Sequence, residues 1–224
     1  QKCMTKVVCY FPSWATYRNP PVKFTVDDID PTLCTHLVYC FAVLDDNLQI
    51  ASKDLEDNGG KAGFKRAVAL KTKNQSLKVT LAVGGWNERS EKFSRMAATH
   101  GTRSNFIKSV LNFTYKFDGL DLDWEYPAHA PQGGKPEDKS NFVALAKELK
   151  EAFKPHNYIL TAAIACAQDK LDAGYDLPQL NQYLDLVHVM SYDYHGAWEG
   201  VVGANAPLRG SHPGDTLSVV SDLI

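Results

Sequence analysis

Short runs of apolar, β-branched and aromatic residues alternate along the chain with longer segments in which apolar residues recur at helical spacing. The short runs predict six strands, at residues 6–11, 36–43, 78–83, 119–124, 158–163 and 186–191. The longer segments predict helices, at residues 62–73, 91–99, 103–116, 137–153 and 177–183. Strands and helices in this order indicate a parallel sheet covered by helices.

The fourth predicted strand carries acidic residues on one face. Residues 118–127 read DGLDLDWEYP, so Asp121, Asp123 and Glu125 occupy every second position, the spacing that puts side chains on the same side of a strand. Successive carboxylates would lie roughly 6.5–7 Å apart, and each would raise the cost of ionising its neighbour. The row therefore predicts a carboxyl group that keeps its proton near neutral pH and can act as a general acid.

Other interpretations of this row are possible. A solvated edge strand is one, although the two leucines and the tryptophan between the acids favour burial. A calcium loop of the EF-hand type is disfavoured, because its sixth and twelfth positions, counted from Asp121, would be Tyr126 and Gln132 instead of Gly and an acid. A magnesium site at the mouth of a barrel stays open.

A doubly wound sheet and a (β/α)8 barrel both fit the alternation, and the loops after the strands favour one of them. Gly84-Gly85-Trp86 has neither the spacing of a dinucleotide fingerprint nor that of a phosphate loop. Polar and aromatic residues end many strands instead, where barrel enzymes build their sites. We therefore predict an α/β fold of the TIM (β/α)8 type, here with only the first six βα units. A polar loop at 127–136 would border a cleft, and residues 215–224 resemble the start of a helix.

Composition narrows the class of protein. The chain has 224 residues, a formal net charge of −2 and 44% hydrophobic residues, which fits one globular domain over residues 1–224. Acidic and basic residues are dispersed, so nothing favours a nucleic-acid partner. No apolar stretch approaches the ~18 residues of a membrane span, and no His or Cys spacing suggests zinc. The sequence thus predicts no metal and no cofactor, and it leaves the oligomeric state open.

Several features suggest a secreted, extracellular protein. The chain begins at Gln1 instead of Met, as expected if a secretory signal was removed or the sequence starts internally. Asn74 and Asn112 each begin a glycosylation acceptor pattern, which is usable only in a secreted protein.

The cysteines add one further expectation. Of the five cysteines, Cys9 ends the first apolar run and Cys34 precedes the second, so adjacent strands could bring them together as a disulfide. Cys3, Cys40 and Cys166 remain as an odd set. Cys40 is expected to be a small core residue instead of a reactive thiol.

Four segments together carry a resemblance to a known family. They are KVVCYF with Trp14, LAVGGWN, MSYDYHG, and the acidic segment, in which Asp118, Asp121, Asp123 and Glu125 form a DxxDxDxE pattern. These segments resemble the family 18 glycoside hydrolases, which comprise chitinases and chitinase-like lectins. The resemblance covers nearly the whole chain, in the order of the family's first six strands, and looks closest to secreted animal chitinases.

The resemblance implies a retaining, substrate-assisted mechanism, in which the N-acetyl oxygen of the sugar is the nucleophile. Glu125 would protonate the glycosidic oxygen and then act as base on water. Asp123 would hold the acetamido N–H and stabilise the positively charged intermediate. Asp121 would share a proton with Asp123, and Asp118 would be a structural carboxylate below the site.

The segment after the sixth strand matches the family at three further positions. The Tyr192 hydroxyl would orient the acetamido carbonyl, Asp193 would bind the sugar, and Met190 would share a strand face with Tyr192 as the floor for the N-acetyl group. From the residues alone, a buried aromatic strand end is an equal alternative. His195 by itself is more typical of a hydrogen-bonded structural residue than of a catalytic one.

Aromatic residues at other strand ends are candidates for sugar contacts. Trp86, after the Gly84-Gly85 turn, offers a flat apolar face to a pyranose, and Trp14 and Trp198 could extend that surface. Trp198 could equally be core. Tyr10 and Phe41 match family positions at the bottom of the site, although strand-end aromatics can also serve packing alone.

The sequence also departs from the family. It lacks the family's last two strands and its α+β insertion, so we expect an incomplete barrel that is marginally stable, dimeric or a piece of a longer protein. Arg89 stands where the family often has Gly.

Three functions follow as hypotheses. The first is an endo-acting chitinase that cuts β-1,4 bonds between N-acetylglucosamine units of chitin or chito-oligosaccharides. The second is a non-catalytic chitin-binding lectin or allergen. The retention of Glu125 argues against this function, and the absence of the family's last two strands argues for it. The third is a metal-dependent barrel hydrolase.

Overall fold

The fold is a curled half-barrel of parallel strands. A computed structural model describes residues 5–52, 63–113, 115–200, 202–210 and 218–219. The strands are β1 (Val8–Pro12), β2 (His36–Leu44), β3 (Ile50–Ala51), β4 (Lys78–Gly84), β5 (Gly119–Asp123), β6 (Ile159–Ile164) and β7 (Leu186–Val189). The order across the sheet is β1-β2-β4-β5-β6-β7, all parallel, and the short β3 pairs antiparallel with β2. The six predicted strands and the parallel sheet are confirmed.

The curl of the sheet is visible in contacts across its concave side. Tyr10 on β1 and His188 on β7 lie on the two outer strands, yet their ring centroids are 5.6 Å apart. The Tyr10 hydroxyl also reaches Asp121 on the central strand β5, at 2.8 Å. A flat sheet could not make either contact, so the strands enclose a barrel-like interior.

The helices pack on the outer face of the sheet. They are α1 (Gly63–Ala69), α2 (Glu91–Ala97), α3 (His100–Asn112), α4 (Asp138–Phe153), α5 (Gln168–Gly174) and α6 (Leu177–Leu180). Three-residue and five-residue 3-10 turns connect several of these elements, at 13–17, 26–28, 70–72, 86–88, 130–132 and 154–156. No described helix is long and apolar enough to cross a membrane.

All five predicted helices are present among the described residues, but one of them starts earlier than predicted and one further helix was not predicted. α3 starts three residues before its predicted start because Thr99 caps it, accepting a hydrogen bond from the Thr102 N–H. α5 was not predicted, since its heptapeptide QDKLDAG has no apolar repeat. The helix expected at 215–224 falls almost entirely outside the described residues.

The two faces of the sheet have separate cores. The outer face packs under the helices: Trp124 stacks on Phe93 of α2 and meets Phe142 of α4 edge to face, at 5.3 and 5.8 Å between centroids. The inner face holds a smaller cluster that includes Val38, Cys40 and Ala82. Because strand residues alternate between these two environments, the acidic row must face the interior if Leu120, Leu122 and Trp124 face the helices.

Carboxylates at the amino ends of strands join neighbouring elements. One oxygen of Asp118 accepts the Val79 N–H at 2.8 Å and the other pairs with the Lys71 ammonium at 2.7 Å. Asp185 makes an analogous pair of contacts, with the Leu160 N–H at 2.8 Å and the Lys150 ammonium at 2.6 Å. Asp118 thus lies at the opposite end of β5 from the candidate site, where the family resemblance places it.

The two glycosylation candidates differ in their surroundings. The Asn74 side chain is engaged in a turn, donating to the Pro31 carbonyl at 2.8 Å and accepting from Ser76. Asn112 is exposed at the end of α3. Glycosylation stays a prediction for both, and the Asn112 side chain is the more accessible one.

Cys9 and Cys34 lie together, as the strand order requires. Both thiols are unbonded in the structure, but the Cys34 side chain is hydrogen-bonded to Cys9. Burial and this contact raise the pKa of Cys34 to about 11. Cys40 and Cys166 are buried free thiols, and Cys3 lies outside the described residues.

We expect Cys9 and Cys34 to be oxidised to each other when the protein is produced through a secretory pathway, because the two side chains already touch. Alkylation before and after reduction, read by mass spectrometry, checks this pairing. Labelling of both thiols without reduction would exclude it. Cys40 and Cys166 provide the internal control, since both should carry free thiols in either case.

The loop after β4 has a strained residue at the predicted departure from the family. Arg89 is exposed and has φ 60° and ψ −170°, a conformation that favours Gly. Replacing Arg89 by Gly should therefore raise the free energy of unfolding by about 1 kcal/mol. Arg89→Ala is the matched control, because it removes the same side chain and keeps the strain. Equal stabilities of the two variants in denaturant titrations would contradict this account.

Candidate active site

The site is built on the carboxyl end of the central strand β5. Asp121 and Asp123 project from this strand into the interior, with 0% and 4% of their surfaces exposed. Glu125 follows two residues later, beyond the end of the strand. The row therefore lies on one face as the spacing predicted, and the solvated edge strand is excluded because β5 is central and its acids are buried.

Asp121 is held from two sides. The Tyr10 hydroxyl donates to one of its oxygens at 2.8 Å and the Thr161 hydroxyl donates to the other at 2.5 Å. His188 lies 3.9 Å from the second oxygen, without a hydrogen bond. Burial raises the pKa of Asp121, and its hydroxyl partners and His188 oppose that increase.

Asp123 is the carboxylate with the least support. One of its oxygens is buried without a hydrogen-bond partner. Burial raises the pKa of Asp123 well above its ordinary value, and the charges of Glu125 and Asp121 raise it further. A buried oxygen without a partner is costly, so this carboxyl group is placed to gain stabilisation from a ligand N–H or from a shared proton.

Glu125 lies at the boundary between the interior and the cleft. Burial raises its pKa, and the Asp193 charge acts in the same direction. Hydrogen bonds from the Tyr126 side chain and the Trp86 backbone N–H act the opposite way, without cancelling the increase. Glu125 is therefore the acid best placed to carry a proton to a bound molecule.

The turn of Gly84 and Gly85 sets the position of the β4 loop against these acids. Both residues have positive φ, 116° and 83°, and the Gly85 N–H donates to the Asp123 carbonyl at 2.9 Å. A Cβ atom on Gly84 would lie 2.1 Å from that carbonyl oxygen, and one on Gly85 would lie 2.7 Å from the Phe41 ring. Only Gly permits this close approach. Gly85 thus shapes the site through its backbone.

A cavity of about 1350 Å³ opens over the acids. Its lining includes eight predicted residues besides Asp123 and Glu125: Tyr10, Trp14, Phe41, Trp86, Met190, Tyr192, Asp193 and Trp198. The structure therefore brings together, at one opening, residues from the ends of five strands and the loops after them. Asp118, Asp121 and Gly85 are not part of this lining, although Asp121 lies directly beneath it.

Aromatic side chains provide flat surfaces at the opening. Trp14 stacks on Phe41 with centroids 5.9 Å apart and planes 17° from parallel. Trp86 and Trp198 are exposed, by 58% and 66%. The alternative that Trp198 belongs to the core is therefore wrong. Such surfaces suit the apolar faces of sugar rings.

The segment after β7 is exposed at the cavity and is held in place by a loop further along the chain. Tyr192 is half exposed, so the alternative of a buried aromatic strand end is wrong for this residue. Burial of its hydroxyl and the nearby acids raise the pKa of Tyr192 to about 12. Asp193 has a positive φ of 59° and accepts a hydrogen bond from the Asn205 amide at 2.8 Å.

His195 behaves as the sequence suggested. Its Nδ1 lies 2.9 Å from a Glu199 oxygen, and its ring packs where a side chain on Gly203 would have to sit. The Asn205 amide also donates to the His195 carbonyl. These contacts support a loop, and His195 is not among the residues that line the cavity.

Three residues of the site were missed by the sequence analysis. Thr161 pairs in register with Asp121, and His188 shares a strand face with Met190, so polar residues in the apolar runs of β6 and β7 were the available signal. Tyr126 contacts Glu125 and lies edge to face with Trp86 at 6.5 Å. Its role depends on the turn after β5, which no periodicity indicates.

The metal alternative receives no support from side-chain positions. Within the described ranges, no three His, Cys, Asp or Glu side chains are grouped so that they could hold a metal ion. The acids of β5 face hydroxyl groups and aromatic rings instead of further oxygen ligands.

Buried acids at the carboxyl end of a parallel barrel sheet, beneath an aromatic cleft, form the arrangement from which barrel enzymes build their active sites. The sequence pattern of the glycosyl hydrolases family 18 matches residues 6–223, and the chain belongs to this family.

Individual relatives agree with this assignment. "Probable chitinase 2" of Drosophila melanogaster is 47% identical over 221 residues, which cover 95% of this chain and 45% of that protein. A solved Group IV chitinase of Ostrinia furnacalis is 41% identical with a TM-score of 0.92, over 98% of this chain and 62% of that one. Human YKL-39, a pseudo-chitinase with retained chitooligosaccharide binding, is 34% identical with a TM-score of 0.85, over 97% of this chain and 61% of that one. The chain thus spans less than half the length of the curated relatives it matches.

The raised pKa of Asp123 predicts a specific pH dependence of stability. Because the folded-state pKa lies above the unfolded value of about 3.9, the folded protein binds this proton more tightly, and stability is lost as pH rises through the folded pKa. Asp123→Asn should therefore unfold at a higher temperature than the unmodified protein at pH 7–8 and show little difference near pH 4. Melting curves across this range check the sign, and a difference that shrinks as pH rises would contradict it.

Proposed function

We propose that the chain carries the catalytic residues of an endo-acting chitinase, which hydrolyses β-1,4 bonds between N-acetylglucosamine units. The observation that carries the proposal is Glu125: a carboxyl group with a raised pKa, at the edge of an aromatic-lined cavity, with a second and a third buried acid behind it. Chitin or chito-oligosaccharides are the proposed partners, which agrees with the chitooligosaccharide binding described for YKL-39.

The proposed reaction proceeds in two steps with retention. In the first, Glu125 gives its proton to the glycosidic oxygen as the bond from that oxygen to the anomeric carbon breaks. The N-acetyl carbonyl oxygen of the same sugar attacks the anomeric carbon and forms an oxazolinium ion. In the second step, Glu125 takes a proton from water as the water oxygen attacks the anomeric carbon. The bond from that carbon to the N-acetyl oxygen breaks, which opens the oxazolinium ring and restores the N-acetyl group.

Asp123 would stabilise the oxazolinium ion. Its unpartnered buried oxygen is the natural acceptor for the acetamido N–H, and its negative charge would offset the positive charge of the intermediate in a desolvated site. Asp121 would exchange a proton with Asp123, with Tyr10 and Thr161 supporting its charged form. The two aspartates would titrate as a pair.

The remaining candidates would position the sugar. The Tyr192 hydroxyl would hold the acetamido carbonyl over the Met190 side chain, and Asp193 would bind a sugar hydroxyl. Trp86, Trp14 and Trp198 would carry neighbouring sugar units along the cleft.

A chitin-binding protein without catalysis is the second candidate. It is supported by a pseudo-chitinase among the similar structures. We also propose that the protein is secreted, because the relatives are chitinases and their substrate is extracellular.

Glu125→Gln should lower the turnover of a fluorogenic chitotrioside by at least the ~10²–10⁴-fold owed to general acid catalysis. Affinity for chito-oligosaccharides should be nearly unchanged, since the amide keeps the size of the carboxyl group. Rates measured with purified variants check the expected loss of turnover, and calorimetry checks the unchanged affinity.

Glu151→Gln is the matched control, because Glu151 is exposed on the far side of α4. Substantial residual turnover by Glu125→Gln would overturn the assignment of the acid. Loss of all turnover on addition of chelator would favour the metal-dependent hydrolase. No turnover by the unmodified chain, with chitin binding retained, would replace the enzymatic proposal by the binding one.

A further inference from the structure

The segment that follows Glu125 is fixed against the start of α2 by close packing. Gly133 has φ 87°, and a Cβ atom there would lie 2.9 Å from the Glu91 Cβ. A Cβ atom on Gly134 would lie 2.4 Å from the His129 nitrogen. The path of residues 126–135 is therefore tightly constrained, although it has no strand and only a single 3-10 turn.

A buried carboxylate holds both ends of this segment. Asp138, the first residue of α4, is 1% exposed. One of its oxygens accepts from the Ser94 hydroxyl at 2.6 Å, from the Lys135 N–H at 2.7 Å and from the Ala128 N–H at 3.1 Å. Two of these donors are backbone groups seven residues apart, so Asp138 closes the segment into a loop.

A second buried group links this loop to the turn that contains Glu125 and Tyr126. Ser90, which is fully buried, donates its hydroxyl to the Tyr126 carbonyl at 2.6 Å and accepts from the Trp124 indole N–H at 3.1 Å. The Ser90 N–H donates to the Gln132 carbonyl at 3.0 Å, and its carbonyl accepts from the Ser94 N–H at 2.8 Å. Ser94 donates in turn to Asp138, so Ser90, Ser94 and Asp138 form one continuous polar clamp, here called the buried clamp.

The buried clamp acts on the residue that contacts the acid. Tyr126 is held at its backbone by Ser90, and its side chain hydrogen-bonds to Glu125. We propose that Asp138 is a positioning residue for the candidate general acid: through the buried clamp it fixes the backbone of Tyr126, and thereby keeps the Tyr126 hydroxyl on the Glu125 carboxylate.

The consequence for Glu125 has a defined sign. A hydrogen bond to the charged form lowers the pKa of a carboxyl group, so Tyr126 opposes the increase that burial causes. Displacing Tyr126 should raise the pKa of Glu125. The other titratable groups that interact electrostatically with Glu125 are Asp123 on β5, Tyr175 after α5, and Tyr192 and Asp193 after β7. None of these four groups makes a hydrogen bond to the buried clamp.

The test is a double-mutant cycle read on the Glu125 carboxyl carbon. In protein labelled with ¹³C at the Glu carboxyl groups, Glu125→Gln assigns the signal, and its titration is followed by NMR. Asp138→Asn should raise the pKa of Glu125 by about half a unit to one unit, the size expected when one hydrogen bond to the carboxylate is weakened. Tyr126→Phe should raise it by a similar amount, and Asp138→Asn should add nothing in the Tyr126→Phe background.

Matched controls separate positioning from general loss of stability. Asp185→Asn also removes a carboxylate that accepts a backbone N–H, but at the amino end of the strands, and it should leave the titration of Glu125 unchanged. If Asp138→Asn does not fold, Ser90→Ala removes the hydroxyl that contacts the Tyr126 carbonyl and should give the same shift. A lower melting temperature with an unchanged Glu125 titration would overturn the inference, as would a shift that persists without the Tyr126 hydroxyl.

The inference rests on the proposed role of Glu125, but its readout does not require turnover. If the chain proves inactive, the titration still decides whether the buried clamp acts on Glu125. If the chain is active, the basic limb of the pH profile of kcat should move to higher pH in Asp138→Asn, because Glu125 must be protonated to act as acid. A fall in kcat with no movement of that limb would count against the inference.

Discussion

The burial of acidic side chains on one face of a central parallel strand is the constraint on which the rest of this structure depends. Carboxylates in a low-dielectric interior are expensive unless they are hydrogen-bonded or protonated. Asp121 meets this cost with two hydroxyl groups. Thr161 lies in register on the neighbouring strand β6, and the curl of the sheet brings Tyr10 of the outer strand β1 to the other oxygen. Asp123 has less support: one of its oxygens has no hydrogen-bond partner, and burial raises the pKa of this carboxyl group well above its ordinary value.

The same constraint explains why the two faces of the sheet differ. Leu120 and Leu122 of β5, with Trp124 directly after it, anchor the strand under α2 and α4, and this large apolar contact fixes the register of the alternate, acidic positions. A shift of one residue would exchange the two sets. The helix-side core therefore stabilises the fold and also determines which side chains reach the cavity.

Glu125 depends on a further layer of support, because it lies beyond the end of the strand. Its position is set by a turn that is packed against glycines and tied to helix starts by buried polar groups. Such arrangements are typical of functional sites, where precise placement requires support from residues that never touch the substrate.

The sequence by itself determined the elements and the acidic row. Periods of two and of three to four residues depend only on local geometry, so six strands, their parallel arrangement, and the common face of Asp121, Asp123 and Glu125 were predictable. Residue type was also enough to nominate the tryptophans, whereas Tyr192 was nominated by the resemblance of its segment to the family. The tertiary structure decided what no local pattern contains. It placed Thr161 on Asp121, exposed Trp198, unlike the core position considered for it, and connected Asp138 to Glu125 through Ser90 and Tyr126. These contacts join residues that are distant along the chain or lie in turns, and their partners are chosen by the curl of the sheet and by packing between helices, which periodicity does not encode.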